Sequence, residues 1–119
     1  MYGFRISVGA KAKWSLVEDK LSFVREWGYR DVHITQWSLQ KFKQDKLWID
    51  CPNSFVAVEG VLFNRSDIEK NPTLPIHKWR GSFACVCVNK DSNVVSIYND
   101  QIGSHMLFWC QTKDNILVS

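Results

Sequence analysis

A chain of 119 residues with 45% apolar side chains can bury one core, and residues 1–119 read as a single domain. The net charge of +3 is spread over scattered lysines and arginines, without the concentrated basic face of a nucleic-acid binder. No window approaches the ~18 uninterrupted apolar residues of a membrane span and the amino terminus lacks an export signal, so neither nucleic acid nor membrane is an expected partner and a cytoplasmic location is expected.

Residues 2 to 9 alternate apolar and polar and then meet Gly9, which predicts a first strand and a turn. Ser15 and Glu18 have the spacing of a capping box. Leu16, Val17, Leu21, Phe23, Val24 and Trp27 follow at helical intervals until Gly28, which predicts a helix over 15–27. Asp31 to Leu39 alternates again, with a shift of phase near Gln36 that predicts a bent or bulged strand. Two apolar runs flank Pro52-Asn53-Ser54, so residues 47 to 63 read as a hairpin. Residues 64 to 78 are polar, hold Pro72 and Pro75, and predict a loop with one helical turn starting at Ser66. The remainder is a meander of four short strands, at Ser82 to Asn89, Val94 to Tyr98, Met106 to Cys110 and Ile116 to Val118.

Cys51, Cys85, Cys87 and Cys110 read as reduced core thiols in a chain without an export signal. Cys85 and Cys87 share one face of a strand, but their spacing is unlike that of zinc knuckles, and no metal is expected. A thiol hydrolase pairing one of these cysteines with His33, His77 or His105 stays open, with His105 the first choice because it follows the Gly103 turn. Six tryptophans raise the question of a partner surface. Trp27 and Trp109 fall on apolar faces, whereas Trp37, Trp48 and Trp79 stand near polar loops and are the candidate interface.

Three blocks of the chain together resemble the glutaminase domain of class II glutamine amidotransferases, the amino-terminal half of asparagine synthetases. Gly81-Ser82-Phe83-Ala84 opens a strand, and Asp100, Gly103 and Leu107 follow with the family's order. Met1-Tyr2-Gly3-Phe4 is similar to its Met-Cys-Gly-Ile start, and Val58-Glu59-Gly60-Val61-Leu62-Phe63-Asn64 to its Phe-Asn-Gly-Glu-Ile-Tyr-Asn strand. The resemblance implies an α+β fold, an N-terminal-nucleophile-type sandwich of two antiparallel β-sheets with few flanking helices.

In that family the terminal cysteine attacks the glutamine amide, and its own α-amine is the base. The matching residue here is Tyr2, whose phenol titrates near ~10 and is a poor acyl-transfer nucleophile. The asparagine of the oxyanion hole is matched by Glu59, an acceptor where a donor is needed; losing one such donor costs about 3 kcal/mol of transition-state stabilisation. Gly60 matches the glycine whose N–H completes the hole, and Gly3 the residue after the nucleophile. Only 16 residues separate Asn64 from Gly81, too few for the family's substrate-clamping segment, and His33 is the one basic residue where its carboxylate-binding arginine would fall.

Tyr2, Gly3, Glu59 and Gly60 are therefore read as vestigial active-site positions with no catalytic residue and no cofactor. The resemblance implies a catalytically inactive domain that scaffolds an ATP-dependent, asparagine-synthetase-like amide-forming domain in cis or in trans. β-Lactam synthetases and lasso-peptide cyclases carry inactive domains of this kind, and the chain is then the amino-terminal part of a longer protein or a free-standing partner. The alternatives are a thiol-dependent amidohydrolase using an internal cysteine, and a stand-alone protein- or peptide-binding module.

Overall fold

A computed structural model describes residues 3–9, 23–38, 47–100, 102–103, 105, 107–111, 113 and 115–118. They form two compact units, each built on one antiparallel sheet. Unit 1 takes residues 1–44 and 107–119, and unit 2 takes residues 45–106. No helix among the described residues is long and apolar enough to cross a membrane.

Unit 1 holds five strands: β1 (Gly3–Gly9), β2 (Phe23–Tyr29), β3 (Val32–Ser38), β8 (Trp109–Gln111) and β9 (Asn115–Val118). Their order across the sheet is β2-β3-β1-β9-β8, so the first strand of the chain lies in the middle. Phe4 and Ile6 of β1 stand opposite Gln36 and Ile34 of β3, and these four are buried together with Val32 and Val118. Strict alternation of this kind places one apolar row per strand on the same face.

β2 overturns the helix expected over 15–27. Residues 23–27 are strand, in unbroken register with β3 from Phe23–Ser38 to Tyr29–Val32; residues 15–22 lie outside the described set. Phe23 and Trp27 are four apart, a spacing that suits a helix face and alternate strand positions equally. Pairing with β3 decides between them. Gly28, expected as the helix stop, is instead opposite His33 within the ladder. β3 is also straighter than expected, because its registers with β1 and β2 run through Gln36 without a bulge.

Unit 2 holds β4 (Leu47–Asp50), β5 (Ser54–Leu62), β6 (Gly81–Asn89) and β7 (Val94–Asn99), in that spatial order. The hairpin expected around Pro52-Asn53-Ser54 is β4–β5, and Cys51 N donates to Ser54 O at 2.8 Å to close it. β5 and β6 are nine residues each and pair along their whole length. α1 (Arg65–Lys70) begins one residue before the predicted turn, and a 3₁₀ turn at Ile76–Lys78 follows it. Ile68 of α1 and Trp79 lie on one face of the sheet with Leu47, Val56, Val58, Phe83 and Cys85, all buried. The opposite face of the central strands, Phe55, Ala57, Ala84, Val86 and Val88, is buried as well, which explains why both strands are nearly continuous apolar runs.

Candidate functional site

The positions singled out in the sequence divide between the two units, and Tyr2 lies outside the described residues. In unit 1, Gly3 pairs with Trp37, and the indole packs so closely on its Cα that an added Cβ would stand 2.8 Å from Trp37 Cζ2. Gly3 is thus required by the indole. Trp37 is 8% exposed, with the Arg5 guanidinium 5.6 Å above its ring.

In unit 2, Glu59 and Gly60 sit on β5 opposite Ala84 and Phe83. Glu59 is 2% exposed. Gly60 has φ +109°, and a Cβ there would overlap Ser82 O and stand 2.9 Å from both Phe83 Cα and His105 Cε1. Only glycine enters that conformation without strain, and the nearest neighbour, Ser82 O, is backbone, which cannot give way. Gly81, at φ +147°, is fixed in the same way against Val61 O.

His105 reaches Gly60 because Asp100 ties down the loop that carries it. Asp100 N donates to Phe83 O at 2.9 Å, and Phe83 N donates to the buried Asp100 Oδ2 at 3.0 Å. Gly103 N then donates to Asp100 O at 3.0 Å, and Asn99 Nδ2 donates to His105 O at 3.3 Å. A carboxylate that accepts a buried N–H is held more firmly than a neutral acceptor. Asp100 is therefore a latch between the end of β7 and the start of β6. The contact of His105 with Gly60 is the feature sequence reading missed, since no periodicity relates a loop imidazole to a strand 45 residues earlier.

The tryptophan surface expected from Trp37, Trp48 and Trp79 is not formed. Trp37 and Trp79 are buried, at 8% and 7% exposure. Trp79 donates its indole N–H to Leu74 O at 3.0 Å and stacks at a tilt on Phe83, 5.7 Å between centroids. Trp48 is half-buried and meets Phe55 edge to face at 4.8 Å. An indole near polar loops can still be a core residue when its N–H finds a carbonyl, as Trp79 does. Trp109, placed on an apolar face by its neighbours in sequence, is exposed on the outer strand β8.

The four cysteines are free thiols. Cys85 is fully buried, Cys51 and Cys87 are half-buried, and Cys110 is exposed, so the expectation of core thiols fails for Cys110. Cys85 and Cys87 share a face of β6, and the Cys85 S–H donates to the Cys87 sulfur. That bond holds the Cys87 thiol below the ordinary range against the opposing effect of burial. The same bond, with burial, pushes Cys85 far up.

No family model, characterised protein or solved structure matches the chain.

Proposed function

We propose that the chain is a glutaminase-like domain of the N-terminal-nucleophile type that has lost glutamine chemistry and scaffolds an ATP-dependent, asparagine-synthetase-like amide-forming domain, in the same polypeptide or in a separate one. The observation that carries this reading is Glu59. A buried residue beside a glycine kept at positive φ presents a carboxylate where the resembling family presents an amide donor. A carboxyl group in that place supplies no amide N–H to an oxyanion, so the position lacks the donor that acyl transfer needs. Trp37 fits the same reading, since its indole packs on Gly3 so closely that no room is left beside that glycine.

Two measurements test it. Purified protein incubated with glutamine is expected to release no ammonia above the uncatalysed rate, and turnover inhibited by a glutamine analogue would sink the proposal. The scaffolding half predicts that an asparagine-synthetase-like domain, encoded downstream in frame or by a neighbouring gene, co-purifies with this chain. A domain of that kind that folds and forms amides equally well without the chain would remove the scaffolding role.

A further inference from the structure

We propose that the outer edge of β7 is a strand-addition site for an extended peptide of another protein, and that acidic residues at the amino-terminal end of that peptide enter a basic cleft beside Arg80. The inference is independent of the glutaminase-like reading, because it uses neither Glu59 nor Gly60.

The edge comes first. β7 is the last strand of its sheet, and its residues Val94-Val95-Ser96-Ile97-Tyr98-Asn99 include no charge and no proline. Natural proteins blunt such edges with charges, proline or brevity. The other outer strands are blunted: β4 has four residues and ends at Asp50, which is paired with Lys90, β2 carries Arg25 and Glu26, and β8 has three residues. β7 alone among them is long and uncharged, and Val94 and Tyr98 are 52% and 39% exposed.

The hydrogen-bond phase of the ladder says which groups are available. Asp100 N donates to Phe83 O, and bonded pairs recur at every second residue of an antiparallel ladder. The pairs Cys85–Tyr98, Cys87–Ser96 and Asn89–Val94 are then the bonded ones. Phe63 N donating to Arg80 O places the even-numbered residues of β6 toward β5, in agreement with this phase. The backbone N–H and C=O of Val95, Ile97 and Asn99 are consequently directed away from β6, toward the edge where no described strand pairs.

The cleft supplies the charge. α1 and residues 74–80 cover the sheet over β4, β5 and β6, and beyond them a cleft of about 670 Å³ opens between His77, Arg80 and the carboxy-terminal end of β7. Tyr98, Asn99, Phe83 and Ile102 line it. His77 and Arg80 also line an adjoining cleft of about 520 Å³, where Lys78 joins them. Three basic side chains thus project from one short segment, and no acid partner pairs with them among the described residues.

That segment is held rigidly. Asn64 Oδ1 accepts from Arg80 N at 3.0 Å while Asn64 Nδ2 donates to Lys78 O at 2.9 Å, and Phe63 N donates to Arg80 O at 2.8 Å. The acids on these clefts are Asp100 on the first, which accepts from Phe83 N, and Asp67 on the second. A strand added antiparallel to β7, as throughout this sheet, begins at the cleft and runs toward Val94. Its first residues meet Arg80 and His77, with Lys78 in the adjoining cleft, which selects acids there, and its apolar residues meet Val94 and Tyr98.

The test uses the full chain and a fluorescein-labelled peptide of two glutamates followed by alternating valine and threonine. Saturable binding is expected, with slowed amide exchange at Val95, Ile97 and Asn99 and little change at Ser96. Arg80→Glu, a change to an exposed side chain, should weaken binding about tenfold or more. Moving the glutamates to the other end, or N-methylating alternate peptide amides, should abolish it. Ile97→Pro removes an outward N–H that the ladder does not use and should block binding in a chain whose circular dichroism is unchanged. Equal binding of a lysine-for-glutamate peptide, protection confined to residues away from β7, self-association through β7 in place of peptide capture, or displacement of the peptide by inorganic phosphate without protection of β7 would each overturn the proposal.

Discussion

β4 and β7 are the two outer strands of one sheet, and the fold finishes them differently. Leu47 of β4 is buried beneath the layer formed by Ile68 and Trp79, Trp48 closes edge to face on Phe55, and Lys90 clamps the strand end by donating to Asp50 Oδ1 at 2.7 Å and to Cys51 O at 2.6 Å. β7 has comparable β-forming residues but no such cover among the described residues, and Val94 and Tyr98 remain half in solvent. The difference comes from the reach of a short connection. α1 and the 3₁₀ turn span only the residues between β5 and β6, so they can shield the strands near their own ends and stop short of the fourth.

The comparison can be broken at its centre most severely. Gly60→Ala forces a Cβ onto Ser82 O at a positive φ and is expected to cost about 3 kcal/mol or more, read by urea denaturation; a near-neutral result would show that β5 and β6 separate easily and that the covered half of the sheet is not the rigid half. Ile68→Ala removes the side chain by which α1 reaches the sheet, and a loss of about 2–4 kcal/mol is expected in the same measurement.

Lys90→Met separates cover from charge. Asp50 is half-exposed, so at most about 1 kcal/mol should be lost, and the loss should shrink in high salt. A larger, salt-independent change would place the weight on the bond to Cys51 O.

The smallest effect lies at the boundary between covered and uncovered strands. Cys85 donates to Cys87 and holds its thiol down, so Cys85→Ala should raise the Cys87 pKa, reduce its thiolate at neutral pH and slow iodoacetamide labelling of Cys87 a few-fold by mass spectrometry. Since an ionised Cys87 needs that donor, the effect should be greatest near neutral pH and vanish at high pH, where Cys87 is thiolate with or without it. Unchanged labelling at neutral pH would mean that burial, not the donor, governs Cys87.

Much of the four-stranded sheet was legible because its signals are local. Turn chemistry at Pro52-Asn53-Ser54, the apolar runs of β5 and β6, and the polar break at Lys90-Asp91-Ser92-Asn93 sit within a few residues of the strands they delimit. The β2–β3 hairpin was not legible for the converse reason. Its loop is Arg30-Asp31, with Arg30 at φ +53°, a conformation that two-residue hairpins usually give to glycine or asparagine. Without that signal, the four-residue spacing of Phe23 and Trp27 read as a helix.

The candidate site divides along the same line. That a carboxylate stands at position 59, followed by a glycine, follows from residue type alone. That Trp37 packs on Gly3, that Asp100 latches Phe83, and that His105 reaches Gly60 depend on pairs between 17 and 45 residues apart.

By itself the sequence determined the strands with local turns, the scatter of its charges along the chain, and the identity of the groups at the positions singled out, because these depend on single residues and near neighbours. Tertiary structure alone decided which tryptophans are core, which thiol donates to which, and which of two similar edge strands is left open. Those outcomes are set by burial and register between distant segments, where one residue of slip exchanges the two faces of a strand.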